Sequence, residues 1–263
     1  MTLLETSSKI SNELIGEVQL TRFNEKRYKK RKQKKEHEDS GLNKQHFNLK
    51  EIKPLTTNQE KTFAAWKKGQ NLLLHGLAGT GKSFISLYLA LKEITSYNNQ
   101  YKQLLIVRSA VPTRDIGFLP GNLKEKSRVY EQPYQTICSA LFGRGDSYEI
   151  LKQKKIVDFT TTSFIRGNTF TDTIVIVDEV NNMDFHELDS VITRIGENCR
   201  LILCGDYRQS DLVKKSDREG LLTFMNIINK INGFYHVEFE IEDIVRSGLV
   251  KEYIIAKTKL GIT

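Results

Sequence analysis

Eight consecutive residues, Gly76-Leu77-Ala78-Gly79-Thr80-Gly81-Lys82-Ser83, have the types and spacing to hold a polyphosphate. They fit G-x-x-x-x-G-K-[ST] and lie between an apolar run, Asn71 to His75, and a helix-like run that starts at Lys82. Glycines let the backbone curl so that successive N–H groups and the N-terminus of the next helix can face phosphate oxygens. In such a P-loop, Lys82 is expected to reach the β- and γ-phosphates and Ser83 to hold Mg²⁺. The expected nucleotide-contacting set runs from Gly76 to Ser83 and on to Phe84. A second cluster has matching chemistry. Thr173-Ile174-Val175-Ile176-Val177-Asp178-Glu179 is an aliphatic strand that delivers two acids at its carboxyl end. With a P-loop in the same chain, Asp178 is expected to fix Mg²⁺ through a water, and Glu179 to orient and deprotonate the attacking water. Adjacent acids argue against a small-molecule kinase, in which a bound hydroxyl replaces the activated water.

These residues need a scaffold, and the hydrophobic pattern supplies one. Apolar runs at Asn71–His75, Gln103–Val107, Thr173–Val177 and Arg200–Cys204 read as buried parallel strands, with Ile156–Thr160 and the alternating Phe234–Ile241 as further candidates. Between them lie helix patterns, among them Thr57 to Trp66, Lys82 to Ile94, Asp184 to Ile195, Leu221 to Ile231 and Leu249 to Thr258. Leu123 to Phe142 is also read as helix, with Pro133 the place for a break. Alternation of this kind predicts an α/β fold with a mostly parallel sheet flanked by helices, with ligands at the carboxyl ends of the strands. In P-loop ATPases with an additional strand, the Arg200–Cys204 strand lies between the P-loop strand and the acid-bearing strand. Gln209, just beyond it, is then the candidate γ-phosphate sensor. Gln59 stands 17 residues before Gly76, and in helicase-like enzymes a glutamine at about this place reads adenine, one amide donating to N7 and accepting from N6; an ordinary surface glutamine is the alternative.

The chain has 263 residues, a net charge of +8 and 39% hydrophobic content, enough for one large domain or two small ones. Thr21 to His37 holds nine Lys/Arg against two Glu, so this stretch carries +7 of the total. Residues 1–50 are read as a basic arm, disordered or loosely helical, and 51–263 as the folded domain, entered through the linker around Pro54. Such an arm either binds phosphate backbones by releasing counterions or simply stays solvated. The three cysteines lack metal or redox spacing, and the five histidines are scattered. We expect no disulfide framework, no zinc site and a reducing interior. No apolar run reaches the roughly 18 residues of a membrane span, so no membrane association is expected.

Three further segments narrow the reading: Gly117-Phe118-Leu119-Pro120-Gly121, Phe164-Ile165-Arg166-Gly167 and Asp243-Ile244-Val245-Arg246. In this order, with Arg108, the P-loop and the Val177-Asp178-Glu179 acids, the chain from about Leu55 to Ile255 resembles the PhoH family of P-loop ATPases of bacteria and their phages. That family is related to the helicases of superfamily one. The resemblance implies a single RecA-like P-loop NTPase domain that hydrolyses ATP with Mg²⁺. It also implies coupling to single-stranded nucleic acid, RNA before DNA, by binding, translocation or unwinding. An ATP-switched regulatory module with slow turnover is the alternative. Lys82, Ser83, Asp178, Glu179 and Gln209 carry over into the roles given above, and the resemblance adds Arg246 as an arginine finger. The chain departs from the family pattern at Asn181-Asn182, where a glutamine is usual, and at Ser247-Gly248, where His-Pro is usual. With one RecA-like domain in view, Arg246 is expected to come from a neighbouring subunit, which implies a homo-oligomer such as a hexameric ring. Action within its own subunit, or pairing with Asp243, are the alternatives. A bacterial cytoplasm, or a host cytoplasm if phage-encoded, is the expected location.

Overall fold

Each apolar run of the sequence becomes a strand in the computed structural model, which describes residues 48–109, 123–165, 167, 169–206 and 215–260. All that follows concerns the unit Leu49–Thr263. The strands are β1 (Asn71–Gly76), β2 (Gln103–Arg108), β3 (Val157–Thr161), β4 (Thr173–Asp178), β5 (Arg200–Gly205) and β6 (Phe234–Phe239). They form one sheet in the order β3-β2-β4-β5-β1-β6. Every pairing is parallel, so the sheet is more uniform than the mostly parallel one expected. β4 and β5 are buried at every position, whereas the edge strands β3 and β6 each expose one. Helices on both faces demand unbroken apolar sequence at the sheet's centre and relax that demand at its rims. The fold is a RecA-like α/β domain, with β5 between β1 and β4.

The helices are α1 (Thr57–Lys67), α2 (Lys82–Ile94), α3 (Leu123–Phe142), α4 (Ser147–Gln153), α5 (Phe185–Ile192), α6 (Lys215–Ile228) and α7 (Gly248–Lys259). Local chemistry sets several of their starts. Thr56 caps α1 by accepting from the Gln59 N–H at 3.3 Å, and Asp184 with Glu187 forms a capping box on α5. α3 runs through Pro133 without a break. One lost N–H is offset there by a buried face that includes Tyr134, Cys138 and Leu141. One layer of core joins Val175, Val177 and Leu203 to Leu188 on α5 and Phe224 on α6. The other face is sealed by α2, where Leu87, Tyr88 and Leu91 have no exposed surface.

At the amino end of the strands, away from the glycine loop, Arg200 lies 3.3 Å from the Trp66 ring centroid. It also donates to the Trp66 and Gln70 carbonyls at 2.7 and 3.0 Å. That buried cation clips α1 to β5 and satisfies backbone acceptors left at the end of α1.

Candidate active site

The P-loop turns from β1 into α2, and its shape depends on backbone that only glycine adopts comfortably. Gly76 has φ +115°, and a Cβ there would meet the Phe239 carbonyl oxygen at 2.1 Å. Thr80 is fully buried and its hydroxyl donates to the Leu77 carbonyl at 2.9 Å, bracing the loop from within. The Lys82 ammonium folds back onto the loop and donates to the Gly76 and Leu77 carbonyls, both at 2.8 Å. Burial pulls the Lys82 pKa down, opposed by the negative charge of Asp206 and then by Cys204, Asp178 and Glu179.

Across the cleft, Asp178 ends β4 with 6% of its surface exposed. Two hydroxyls grip its carboxylate: Ser83 Oγ donates to Oδ1 and Tyr134 OH to Oδ2, each at 2.9 Å. The next residue, Glu179, sits in the left-handed region at φ 57°, ψ 43°. For a residue with a Cβ this costs about 1–2 kcal/mol, a strain that the surrounding packing must over-determine. Burial raises the Glu179 pKa and the Asp178 charge adds to it, while Arg108 and Lys82 act the other way. Asn181 is buried, and its Oδ1 accepts from the Asp206 N–H at 2.9 Å, tying the turn after the acids to the end of β5. Gly205 makes this approach possible. A Cβ there would stand 2.5 Å from Val180 Cγ2 and 2.8 Å from Asn181 Oδ1.

The mouth of the site is closed by segments far apart in sequence. Gln59 is 4% exposed; its Oε1 accepts from the Leu55 N–H at 2.7 Å and its Nε2 donates to the Thr80 carbonyl at 3.1 Å. It is therefore not a surface glutamine, and those two bonds fix which way its amide points. Arg246 packs its aliphatic stem on the P-loop. A Cβ at Gly79 would lie 2.9 Å from Arg246 Cγ, and the neighbouring Val245 N–H donates to the Gly79 carbonyl at 3.1 Å. Asp243 forms no ion pair with Arg246; its Oδ2 accepts from Asn58 Nδ2 at 2.7 Å and from the Glu240 N–H at 3.0 Å. Arg246 makes no ion pair among the described residues.

Lys82, Ser83, Asp178, Glu179, Gln59 and Arg246 all line one cavity of about 820 Å³. The segment between β6 and α7 carries the Arg246 stem over Gly79 of its own chain. Gln209, Arg166 and the Gly117–Gly121 turn lie outside the described residues. Tyr134 was missed by sequence reasoning, and Gly205 was legible there only as part of the Gly205-Asp206 motif before Gln209, not for the close approach it permits. Asn181 was visible only as a departure from a pattern, and Tyr134 had no local signal beyond its place on an amphipathic helix.

Residues 51–257 match the family model described as PhoH-like protein. The chain belongs to the PhoH family. Among its curated PhoH relatives, a PhoH-like protein of Bacillus subtilis (strain 168) is 32% identical over 211 residues, covering 80% of this chain and 65% of the relative. A PhoH-like protein of Mycobacterium leprae is 29% identical over 210 residues, covering 79% of this chain and 58% of the relative. The chain thus spans about three fifths of the length of these PhoH relatives. Among solved structures, the large terminase of a thermophilic bacteriophage in complex with ADP aligns with a TM-score of 0.49 at 10% identity. That alignment covers 78% of the PhoH chain and 50% of the terminase.

Proposed function

We propose that this PhoH-family domain, residues 51–263, is a Mg²⁺-dependent ATP hydrolase whose turnover is coupled to single-stranded nucleic acid, RNA in preference to DNA. The observation that carries the reading is the 2.9 Å bond from Ser83 Oγ to Asp178 Oδ1 directly beneath a glycine loop. It joins the two side chains that share a nucleotide-bound Mg²⁺ in P-loop enzymes. The cavity beside it has the size for a nucleoside triphosphate, and its donor set of hydroxyl and carboxylate oxygens suits a hard divalent cation. When bound, that ion neutralises charge on the phosphates; Ser83 would hold it directly and Asp178 through water.

The remaining roles fall to the chain itself. Lys82 exchanges its two backbone carbonyls for β- and γ-phosphate oxygens. Glu179 takes the proton of the attacking water, and its raised pKa makes it a better base than an ordinary carboxylate once ionised. Arg246 supplies charge to the γ-phosphate from within its own chain. Gln59 has one amide hydrogen and one oxygen lone pair left after its bonds to Leu55 and Thr80. Those match adenine N7 and N6–H, whereas guanine offers two acceptors at the same edge. Gln209 is proposed as the γ-phosphate sensor at the end of β5. A ring of subunits is not needed for this chemistry, although nucleic-acid coupling can still use one. The +7 stretch between Thr21 and His37 supports a polyanionic partner.

The test is ATPase turnover with Mg²⁺ or with EDTA, alone and with single-stranded RNA or DNA. Mg²⁺-dependent turnover stimulated by polynucleotide, more by RNA, is expected. Slow turnover indifferent to both polymers would replace the coupling with an ATP-switched binding module. No hydrolysis under any condition refutes the enzyme.

A further inference from the structure

One contact in the site has no part in the roles above. Tyr134 is fully buried on α3, and its ring packs against Phe159 with centroids 5.9 Å apart. A phenylalanine would fill that volume equally well, so the hydroxyl asks for its own account. Burying a hydroxyl costs free energy unless it is bonded, and this one spends its bond on Asp178 Oδ2 at 2.9 Å. Ser83 occupies Oδ1 of the same carboxylate. The terminal torsion of an aspartate is broad, so a single donor leaves the carboxylate plane free to swing. Donors on both oxygens fix it.

We propose that Tyr134 is a positioning residue that holds the Asp178 carboxylate in the plane needed to hold, through water, a nucleotide-associated Mg²⁺, an inference that rests on the ATPase reading above. A phenol donating to an ionised carboxylate makes a charge-assisted bond, stronger than a neutral one. The preceding residue adds a second reason for the bond. Pro133 has no N–H for the Val129 carbonyl, so the turn of α3 that carries Tyr134 lacks one rung of its own ladder. The bond from Tyr134 to Asp178 anchors that turn to the sheet, and Pro133 itself lines the nucleotide cavity. α3 and the metal-holding strand are thereby connected by one hydroxyl. Groups that orient a metal-holding side chain in this way are commonly worth 10- to 100-fold in metal affinity.

The variant is Tyr134→Phe, which keeps the ring and removes only the donor. The readout is the affinity for a fluorescent ADP analogue, titrated with Mg²⁺ and repeated in EDTA. Half-saturating Mg²⁺ should rise about tenfold, while affinity in EDTA stays within about twofold of wild type. A merely structural role for the hydroxyl would lower both affinities together, and that result, or an unmoved Mg²⁺ titration, overturns the proposal. An Asp178→Asn background supplies the second measurement. Once the carboxylate is gone, adding Tyr134→Phe should change the Mg²⁺ titration no further; a further rise of the same size overturns the route through Asp178. Failure of the parent reading is visible separately, since wild-type protein would then gain no nucleotide affinity from Mg²⁺.

Discussion

Replacing Gly205 with alanine should disable hydrolysis without removing nucleotide binding, although Gly205 touches neither phosphate nor metal in the proposed scheme. The added methyl would begin 2.5 Å from Val180 Cγ2 and 2.8 Å from Asn181 Oδ1. Carbon atoms settle at about 3.5–4.0 Å, so the turn after the acids must retreat by about 1 Å or β5 must give way. Overpacking of this kind costs about 1–3 kcal/mol, and losing the buried Asp206–Asn181 bond adds about 1 kcal/mol. For a domain of this size the sum lowers the melting temperature by roughly 5–15 °C. Displacement falls on Glu179, which precedes Val180 in the strained turn, and a shift of about 1 Å in a reacting group costs about 100-fold in rate. Thermal melts, nucleotide binding and single-turnover hydrolysis would be measured on Gly205→Ala and on Gly205→Ala with Val180→Ala. The expected pattern is a lower melting temperature, near-normal nucleotide affinity and a kcat down by about two orders of magnitude, with partial recovery in the double variant. A single variant with wild-type melting and kcat would refute the claim that this close approach aims the base.

Lys82→Ala should weaken both nucleotide affinity and turnover, whereas Glu179→Gln should keep affinity and lose turnover; equal losses of affinity in a fluorescent-nucleotide assay would contradict the two roles. Because burial and the Asp178 charge raise the Glu179 pKa, the residue keeps its proton to higher pH than an ordinary glutamate. Turnover needs the carboxylate, so activity should fall as pH drops through that raised value, and the acid limb of the rate profile should lie above the ordinary glutamate range. Arg108→Ala removes a charge that lowers this pKa and should move the limb to still higher pH; a limb that moves down would count against the assignment. Arg246→Ala should cost about 10³-fold in kcat, and mixing it with Lys82→Ala should restore nothing, because each chain uses its own arginine. Recovered activity in mixtures would return the finger to a neighbouring subunit.

Local chemistry made much of this molecule readable in one dimension. The P-loop could be placed because its glycines, lysine and serine are contiguous. The buried strands could be placed because a parallel sheet covered on both faces leaves no polar positions to blur an aliphatic run such as Ile174–Val177. Boundaries were softer: α6 begins at Lys215 rather than Leu221, since the added turn is polar and carries no hydrophobic period. What stayed hidden depends on long-range approach. Tyr134 meets Asp178 across 44 residues and Asn181 meets Asp206 across 25, and neither pair has a spacing that any periodicity encodes. The approach of Arg246 to Gly79 is hidden for the same reason, since the path of the chain after β6 decides it.

The sheet order also governs how this chain can fold as it is synthesised. β1, with the P-loop attached, is made early, yet its hydrogen-bonding neighbours are β5 and β6, the last two strands. Asn71 and Leu201, which bond across that pairing, are 130 residues apart. At about 5–20 residues per second, a nascent chain holds an unpaired apolar strand for roughly 6 to 26 s before the β5 residue is made. The glycine loop therefore cannot close until nearly the whole domain exists. A chain released early would present bare β1 edges to chaperones or to other copies of itself, rather than a partial enzyme.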